Sequence, residues 1–406
     1  MSRPLKIAVV VGVFPKVSEA FIVNQLGFLK GAGHQVEVFC TREIRSDYLP
    51  HPQLEQYELL KHTHMFRWRD LMPTTGLGRF FKGIEIFFKA SKDEGFELLK
   101  GLNIFKYGKK GVFGSPFYKV YWQHYFLIEG FDVVHVHFGD NAVHLYKHLS
   151  KFKKQVIVTF HGYDSHHYTK EFYKDLIKLK GLKITVNTKY TKQKVLSLGF
   201  EAQQLHILPM GVDTSFFKPE KIVSKPERFT ILFVGRFIPL KAPLFAIKIV
   251  DHLLKIGYDV RFIMVGSGSE FEPCRDYIFK HQLEGQIHLL GNRTQQELVA
   301  LMAQSHVFLF PGIVDAEGRC EAQGLVIQEA QAMALPVVVS DVGGIPEGVL
   351  PNISGFVIPA GHLEGFVDHI QYLMEHPKER EAMGASGRQF VMKHYDTKVL
   401  GEQLLS

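Results

Sequence analysis

Residues Asp315 to Glu347 read DAEGRCEAQGLVIQEAQAMALPVVVSDVGGIPE. Just before them, His306 to Pro311 (HVFLFP) is an apolar, strand-like run, and within them Pro336 to Ser340 (PVVVS) is another. Between the two, Ala322 to Ala334 has helix formers at helical spacing. Strand, helix and strand in that order form the unit of a parallel α/β sheet. The stretch also carries two carboxylates, Glu321 at the mouth of the expected helix and Glu329 eight residues on. Eight residues rise about 12 Å, and eight steps of about 100° leave the two side chains roughly 80° apart. Backbone N–H groups around Gln323, Gly324 and Leu325 fall in the first turn, lack helical partners there and suit an anion. One helix would thus offer a carboxylate, an anion cradle and a second carboxylate. A sugar nucleotide presents sugar hydroxyls, diphosphate and ribose diol in the same order. An ordinary strand–loop–helix unit with solvated glutamates fits the bare spacing equally well.

Working outward, apolar β-rich runs alternate with helical patterns along the whole chain. The first half has IAVVVGVF, QVEVFC, DVVHVHF, VIVTFHG and LKITVNT, and the second FTILFVGR, VRFIMVG, QIHLLG, HVFLFP and PVVVSD. With 406 residues this predicts two doubly wound α/β domains in tandem, joined near the turn-rich segment Pro209 to Pro226. No apolar run reaches the roughly 18 residues of a membrane-spanning helix. The N-terminal apolar run has no small-residue cleavage site and reads as a first buried strand. Three scattered cysteines, Cys40, Cys274 and Cys320, fit a reducing compartment and no metal spacing. Residues 1–215 hold 30 Lys/Arg against 19 Asp/Glu, whereas the remainder hold 18 against 22. A basic first half suggests a polyanion or an anionic membrane surface. No nucleic-acid-binding motif accompanies it.

The stretch from Glu321 to Pro346 closely resembles the donor-site signature of family 4 glycosyltransferases: two glutamates eight apart (Glu321, Glu329), then Ala330, Ala332, Pro336, Val337 and Val338, then Gly343, Gly344 and Pro346. Ala334 stands where that family usually has glycine. Residues 235–241, GRFIPLK, resemble the family's G-R-x4-K motif, again with alanine (Ala242) in place of the usual next glycine. VGSGSE, with Gly266 and Gly268, resembles its G-x-G turn near the nucleotide, and HLLGNRTQQEL, with Leu290 and Arg293, the segment that meets the base. HGYD at 161–164 matches its H-G-x-D, and HVHFGD at 135–140 another of its segments. In that segment His137 reads as either a pocket residue or a satisfied core histidine. Gly12, single where a pair is usual, is followed by FPKVSEAF, a variant resembling exopolysaccharide and lipopolysaccharide transferases. Ser18 and Glu19 would then cap the first helix.

The resemblance implies the two-Rossmann GT-B architecture, its domains facing across a cleft. Residues 1–214 would be the acceptor domain, 215–385 the donor domain, and 386–406 a helix crossing back to the first. It implies a retaining hexosyltransferase of bacterial type, using UDP-glucose or another UDP-sugar, or GDP-mannose next. The acceptor would be a growing, lipid-linked cell-surface polysaccharide or oligosaccharide. The implied catalytic set is His161, Glu321, Arg236 and Lys241. The implied donor contacts are Gly12, Arg236, Lys241, Gly266, Gly268, Leu290, Arg293, Glu321, Gln323, Gly324, Leu325, Val326 and Glu329. Asp164 would aid His161 or only cap a turn. No cofactor is expected. No metal is expected either, because Arg236 and Lys241 can neutralise a diphosphate without one. A nucleotide-sugar epimerase on the same architecture, or a nucleotide-binding non-transferase, are the alternatives. Against a dinucleotide-dependent oxidoreductase, no G-x-G-x-x-G follows the first strand of either half.

Residues 76–128 interrupt the α/β alternation with aromatics and lysines. Phe80, Phe81, Ile84, Phe87 and Phe88 fall at helical spacing, with Arg79, Lys82, Lys89 and Lys92 around them. This is either a membrane-surface helix or a helical insertion packed on its own domain. The expected location is the cytoplasm, peripheral to the inner face of the plasma membrane if the helix binds lipid.

Overall fold

The computed structural model describes every residue except 1–2, 17–18, 47, 49, 104–105, 107–114 and 220–225. Ser18 and much of the segment 104–114 of the basic insertion therefore lie outside the described residues. The chain divides into two units, residues 1–186 with 194–206, and residues 187–193 with 207–406.

The first unit is built on β1 (Lys6–Phe14), β2 (Gln35–Ile44), β3 (Thr63–Met65), β4 (Val133–His137), β5 (Gln155–Phe160), β6 (Leu182–Val186) and β7 (Leu205–Ile207), in the sheet order β3-β2-β1-β4-β5-β6-β7. The pairings from β3 through β6 are parallel. β1 is apolar without alternation because it is buried on both faces, as a parallel strand covered by helices must be. Its side chains nevertheless alternate between cores. Ile7, Val9 and Val11 join Ile22 and Leu26 of α1 (Ala20–Gly31), whereas Ala8 and Val10 join Val134 and Val136 on the other side. β1 passes through Gly12 without ending there. It runs on to Phe14, with its register to β2 slipping between Val11 and Val13. Glu19 occupies the N-cap position of α1 but makes no capping bond, because its carboxylate pairs with Lys16, 2.5 Å away.

The insertion forms α2 (Gly76–Lys89), α3 (Lys92–Lys100) and α4 (Ser115–Gln123). Ile86, Leu98, Phe117, Tyr118 and Tyr121 make a small core of their own. Ile86 is the one described residue of α2 that is buried.

The second unit carries β8 (Phe229–Val234), β9 (Val260–Val265), β10 (Ile287–Leu289), β11 (Val307–Phe310), β12 (Val337–Ser340) and β13 (Gly355–Ile358), ordered β10-β9-β8-β11-β12-β13 and parallel throughout. The last helices, Pro377–His394 and Thr397–Leu405, belong to this unit, and Asp396 bridges to Val212. The ten strands read from the sequence are all present. β3, β7 and β13 are additional and only three or four residues long.

In each sheet the strand order reverses once, at β1/β4 and at β8/β11. Parallel α/β sheets bind ligands beyond the carboxyl ends of strands at such reversals. Arg236 and Lys241 follow β8, and Glu321 follows β11.

Candidate active site

In the second unit three loops converge on Glu321. The loop after β8, Gly235 to Lys241, lies against the turn after β9. Gly235 N–H donates to Val265 O (3.0 Å) and Phe237 N–H to Ser267 O (2.8 Å). That closeness dictates the two glycines of VGSGSE. A Cβ on Gly266 would lie 1.9 Å from Gly235 O, and one on Gly268 2.4 Å from Phe237 O, with φ of +134° and +151°. The glycines thus have a packing reason that bare spacing could not reveal. They let the Arg236 loop seat.

Lys241 at the end of that loop forms an ion pair with Glu321, both side chains being little exposed. Its Nζ also stands 4.8 Å from the centre of the Phe310 ring. Burial, and then the Arg236 charge, press the Lys241 ammonium below its usual range. The Glu321 carboxylate in contact acts the other way, favouring the charged form of the ammonium. The Arg236 side chain is exposed and makes no hydrogen bond among the described residues.

Glu321 itself is not on the helix. Helix α5 (Leu325–Ala332) starts later than Ala322, after Gly324 turns the chain through a left-handed φ of +76°. The 12 Å separation expected for two carboxylates on one helix therefore does not apply. Glu321 Oε1 instead accepts N–H bonds from Ala322 (3.1 Å), Gln323 (3.4 Å) and Gly324 (3.1 Å). Two of the amides assigned to an anion are thereby taken by the protein's own carboxylate. The N–H groups of Leu325 and Val326 make no hydrogen bond among the described residues and open the helix N-terminus, where an anion is favoured. The Gln323 side chain is equally committed: it accepts from Met210 N–H (2.8 Å) and donates to Met210 O (2.9 Å).

The third loop explains Gly343 and Gly344. A Cβ on Gly343 would fall 2.2 Å from Glu321 O, and one on Gly344 1.8 Å from Ala322 O, and Gly344 N–H donates to Glu321 O (2.9 Å). These glycines brace the Glu321 loop from beneath.

Glu329 stands on α5, half-buried, and its carboxylate makes no hydrogen bond among the described residues. Burial raises it to about 7. A desolvated carboxylate without a donor is unfavourable unless something supplies donors. Arg293 donates to Asn292 O (2.9 Å) and lies 3.5 Å from Glu297. The Leu290 N–H is used by Met264 O (2.9 Å).

In the first unit His161 follows β5. It is stacked on His137 at 5.2 Å and flanked by Phe21 (4.7 Å) and Phe138 (4.5 Å). His137 Nδ1 and His161 Nε2 share a hydrogen bond of 3.0 Å, so one of them donates and the tautomers are linked. Burial holds both rings neutral, far below the ordinary histidine value. Among the described residues His137 Nε2 and His161 Nδ1 have no hydrogen-bond partner, whereas His135 is satisfied by Thr159 at 2.7 Å. His135 is thus the satisfied core histidine, and His137 is buried but only half satisfied. Asp164 caps a turn: it accepts from the N–H groups of His161 (2.9 Å), Gly162 (3.0 Å) and Gly139 (2.8 Å). Sequence reasoning missed Phe138, a bulky residue at φ +69° whose strain sits against His161. Gly12 has room to spare, since an added Cβ would make contacts of 3.5 Å or longer. The fold does not require glycine there.

Residues 215–390 match the family of glycosyl transferases group 1, and residues 99–216 match glycosyltransferase family 4. The chain belongs to the glycosyltransferases. It is 25% identical over 364 residues to the putative colanic acid biosynthesis glycosyltransferase WcaL of Escherichia coli, covering 85% of each chain. It is also 25% identical over 368 residues to the amylovoran biosynthesis glycosyltransferase AmsK of Erwinia amylovora, covering 86% of this chain and 85% of that one. Its fold is similar to that of HepE of Anabaena, solved in complex with UDP and glucose, with a TM-score of 0.69, 15% identity and coverage of 99% and 98%. Two parallel-sheet α/β units of the GT-B type, expected from the sequence, are what the glycosyltransferase has.

Proposed function

We propose that this glycosyltransferase moves a hexose from a UDP-sugar, with retention of anomeric configuration, to a growing lipid-linked exopolysaccharide on the cytoplasmic side of the membrane. The observation that carries the donor reading is the Glu329 carboxylate, half-buried, raised to about 7 and without a donor. A ribose diol supplies two donors to a single carboxylate. The open N–H groups of Leu325 and Val326 suit a phosphate, and Arg236 and Lys241 suit the charge that develops on a departing diphosphate. That electrostatic role makes a metal ion unnecessary. Glu321, fixed by three amides and Lys241, is left to hold sugar hydroxyls. His161, neutral at physiological pH, stabilises the cationic sugar or binds its O6, and the departing phosphate takes the proton of the acceptor hydroxyl. The names of WcaL and AmsK point to exopolysaccharide.

A screen of nucleotide sugars for slow hydrolysis tests this without knowledge of the acceptor. Turnover of UDP-glucose or another UDP-hexose without added metal is expected. Turnover of GDP-mannose alone would overturn the donor assignment, and a strict requirement for Mg²⁺ or Mn²⁺ the metal-free one.

A further inference from the structure

A short segment far upstream in sequence grips the Glu321 loop. Residues 187–193 follow β6 but belong to the second unit. Thr188 is 2% exposed, and its Oγ1 donates to Ala322 O at 2.9 Å, across 134 residues of sequence. Its methyl group lies against the turn that braces the same loop, since a Cβ on Gly344 would fall 2.9 Å from Thr188 Cγ2. On the other side of Glu321, Cys320 Sγ donates to Tyr190 Oη at 3.0 Å. The segment is itself fastened. The Glu347 carboxylate accepts from Lys189 N–H (2.8 Å) and Tyr190 N–H (2.9 Å). Thr188 Oγ1 also accepts from Thr191 N–H (3.1 Å), at the start of the helix Lys189–Ser197. The residues before and after Glu321 are thus both tied to one segment.

These ties act on one half of the site. Glu321 lies in irregular backbone, so its place depends on what its loop leans against. Glu329, Leu325 and Val326 belong to α5, whose Ile327, Ala330 and Ala332 are fully buried in the core and hold the helix without help from Thr188. Removing the Thr188 hydroxyl takes a donor from the carbonyl of buried Ala322, which must then shift to find another. Glu321 Oε1 accepts from the amides of Ala322, Gln323 and Gly324, so a shifted loop carries the carboxylate with it. We propose that Thr188, supported by Tyr190, is a positioning residue that sets the Glu321 carboxylate for the donor sugar. This rests on the reading of Glu321 as the holder of sugar hydroxyls.

Thr188→Val keeps the shape and removes the hydroxyl, and Thr188→Ser keeps the hydroxyl. Amide hydrogen exchange on the full chain reads the loop with no donor present. In Thr188→Val the amides of 322–324 should exchange about tenfold faster, those of 327–332 should be unchanged, and Thr188→Ser should restore the wild-type rates. Loss of the helix start alone would speed exchange at 189–192 and lower the melting temperature while sparing 322–324, and that result would overturn the proposal. Tyr190→Phe, a milder change that remains informative if Thr188→Val folds poorly, should speed 322–324 by about threefold, because a thiol is a weak donor. Hydrolysis of UDP-glucose should fall at least about tenfold in Thr188→Val, since a misplacement of about 1 Å costs about 10²-fold, while affinity for UDP stays within about twofold. Equal losses in the two would also overturn it. Glu321→Gln separates the inference from the reading beneath it. If Glu321→Gln loses hydrolysis and Thr188→Val does not, the inference fails and the reading stands. If Glu321→Gln hydrolyses UDP-glucose as the wild type does, the reading fails and the inference falls with it.

Discussion

Replacing Glu329 with Gln should raise the stability of the free enzyme and lower its affinity for nucleotide. Burial raises the folded-state carboxyl to about 7, from an ordinary value of 4.5. The unfolded chain releases the proton near the ordinary value, and the folded chain keeps it until the raised one. Between those two pH values folding binds a proton, so stability falls as pH rises through the window, and the full penalty remains above it. A shift of that size is worth about 3 kcal/mol, and partial access of water to the group lowers it to roughly 2 kcal/mol. Glutamine carries no such charge. In urea denaturation, Glu329→Gln should match the wild type near the ordinary carboxyl value and exceed it by roughly 2 kcal/mol at about pH 8. Calorimetry with UDP should move the other way. Losing a charged acceptor costs about 1.5–3 kcal/mol, or roughly 10- to 150-fold in affinity. The wild type should also bind UDP more weakly as pH falls through about 7, because the carboxylate must be ionised to accept both hydroxyls. Identical pH–stability curves for the two proteins would refute the burial reasoning. Equal UDP affinity with an intact fold would refute the ribose assignment.

Lys241→Ala removes the charge that compensates the shielded Glu321. It should lower stability by on the order of 2 kcal/mol and turnover by on the order of 10², read by denaturation and by donor hydrolysis. Ala242→Gly and Ala334→Gly relieve alanines at φ +51° and +56°. A left-handed alanine costs about 1–2 kcal/mol and glycine gives back about 0.4–1 through the unfolded chain, so each should stabilise by roughly 0.5–1 kcal/mol in urea. Gly12→Ala should leave stability within about 0.5 kcal/mol. If the site needs close backbone approach there, the same variant should cut turnover at least tenfold, and full activity would remove Gly12 from the donor contacts.

The architecture was legible because each buried parallel strand is a near-continuous apolar run, and long helical patterns separate them. The strands that escaped, Thr63–Met65, Leu205–Ile207 and Gly355–Ile358, are too short to show a period. At the site, the spacing of Glu321 and Glu329 was read as one helix. The true start is set by Gly324 in a left-handed turn, and helix formers on both sides of that turn hid it. The loss of two amides to Glu321, and the bond between His137 and His161, depend on side-chain directions that no spacing encodes. The exposure of Phe80, Phe81 and Phe88 was undecidable for a related reason. Helical spacing shows that a helix has an apolar face, and only tertiary packing shows which of two such faces is covered.

The glycines of the motif and the two alanines that replace expected glycines bear on the same question of what the motif conserves physically. Gly266, Gly268, Gly343 and Gly344 each stand where a Cβ would strike backbone oxygen, at distances from 1.8 to 2.4 Å. No rotamer change can relieve such a contact, because the obstructing atom belongs to the main chain. Ala242 and Ala334 carry only the milder burden of a left-handed φ at a helix end, with their side chains accommodated. A turn of that kind tolerates alanine at a cost of about 1–2 kcal/mol. The chain therefore departs from the family pattern where glycine serves conformation alone, and keeps glycine where it lets one site loop lie against another. On that basis Gly344→Ala should displace the Glu321 loop and abolish donor turnover, whereas Ala334→Gly leaves it unchanged. If Gly344→Ala kept wild-type turnover and stability, the bracing of the Glu321 loop by its neighbouring turn would be disproved.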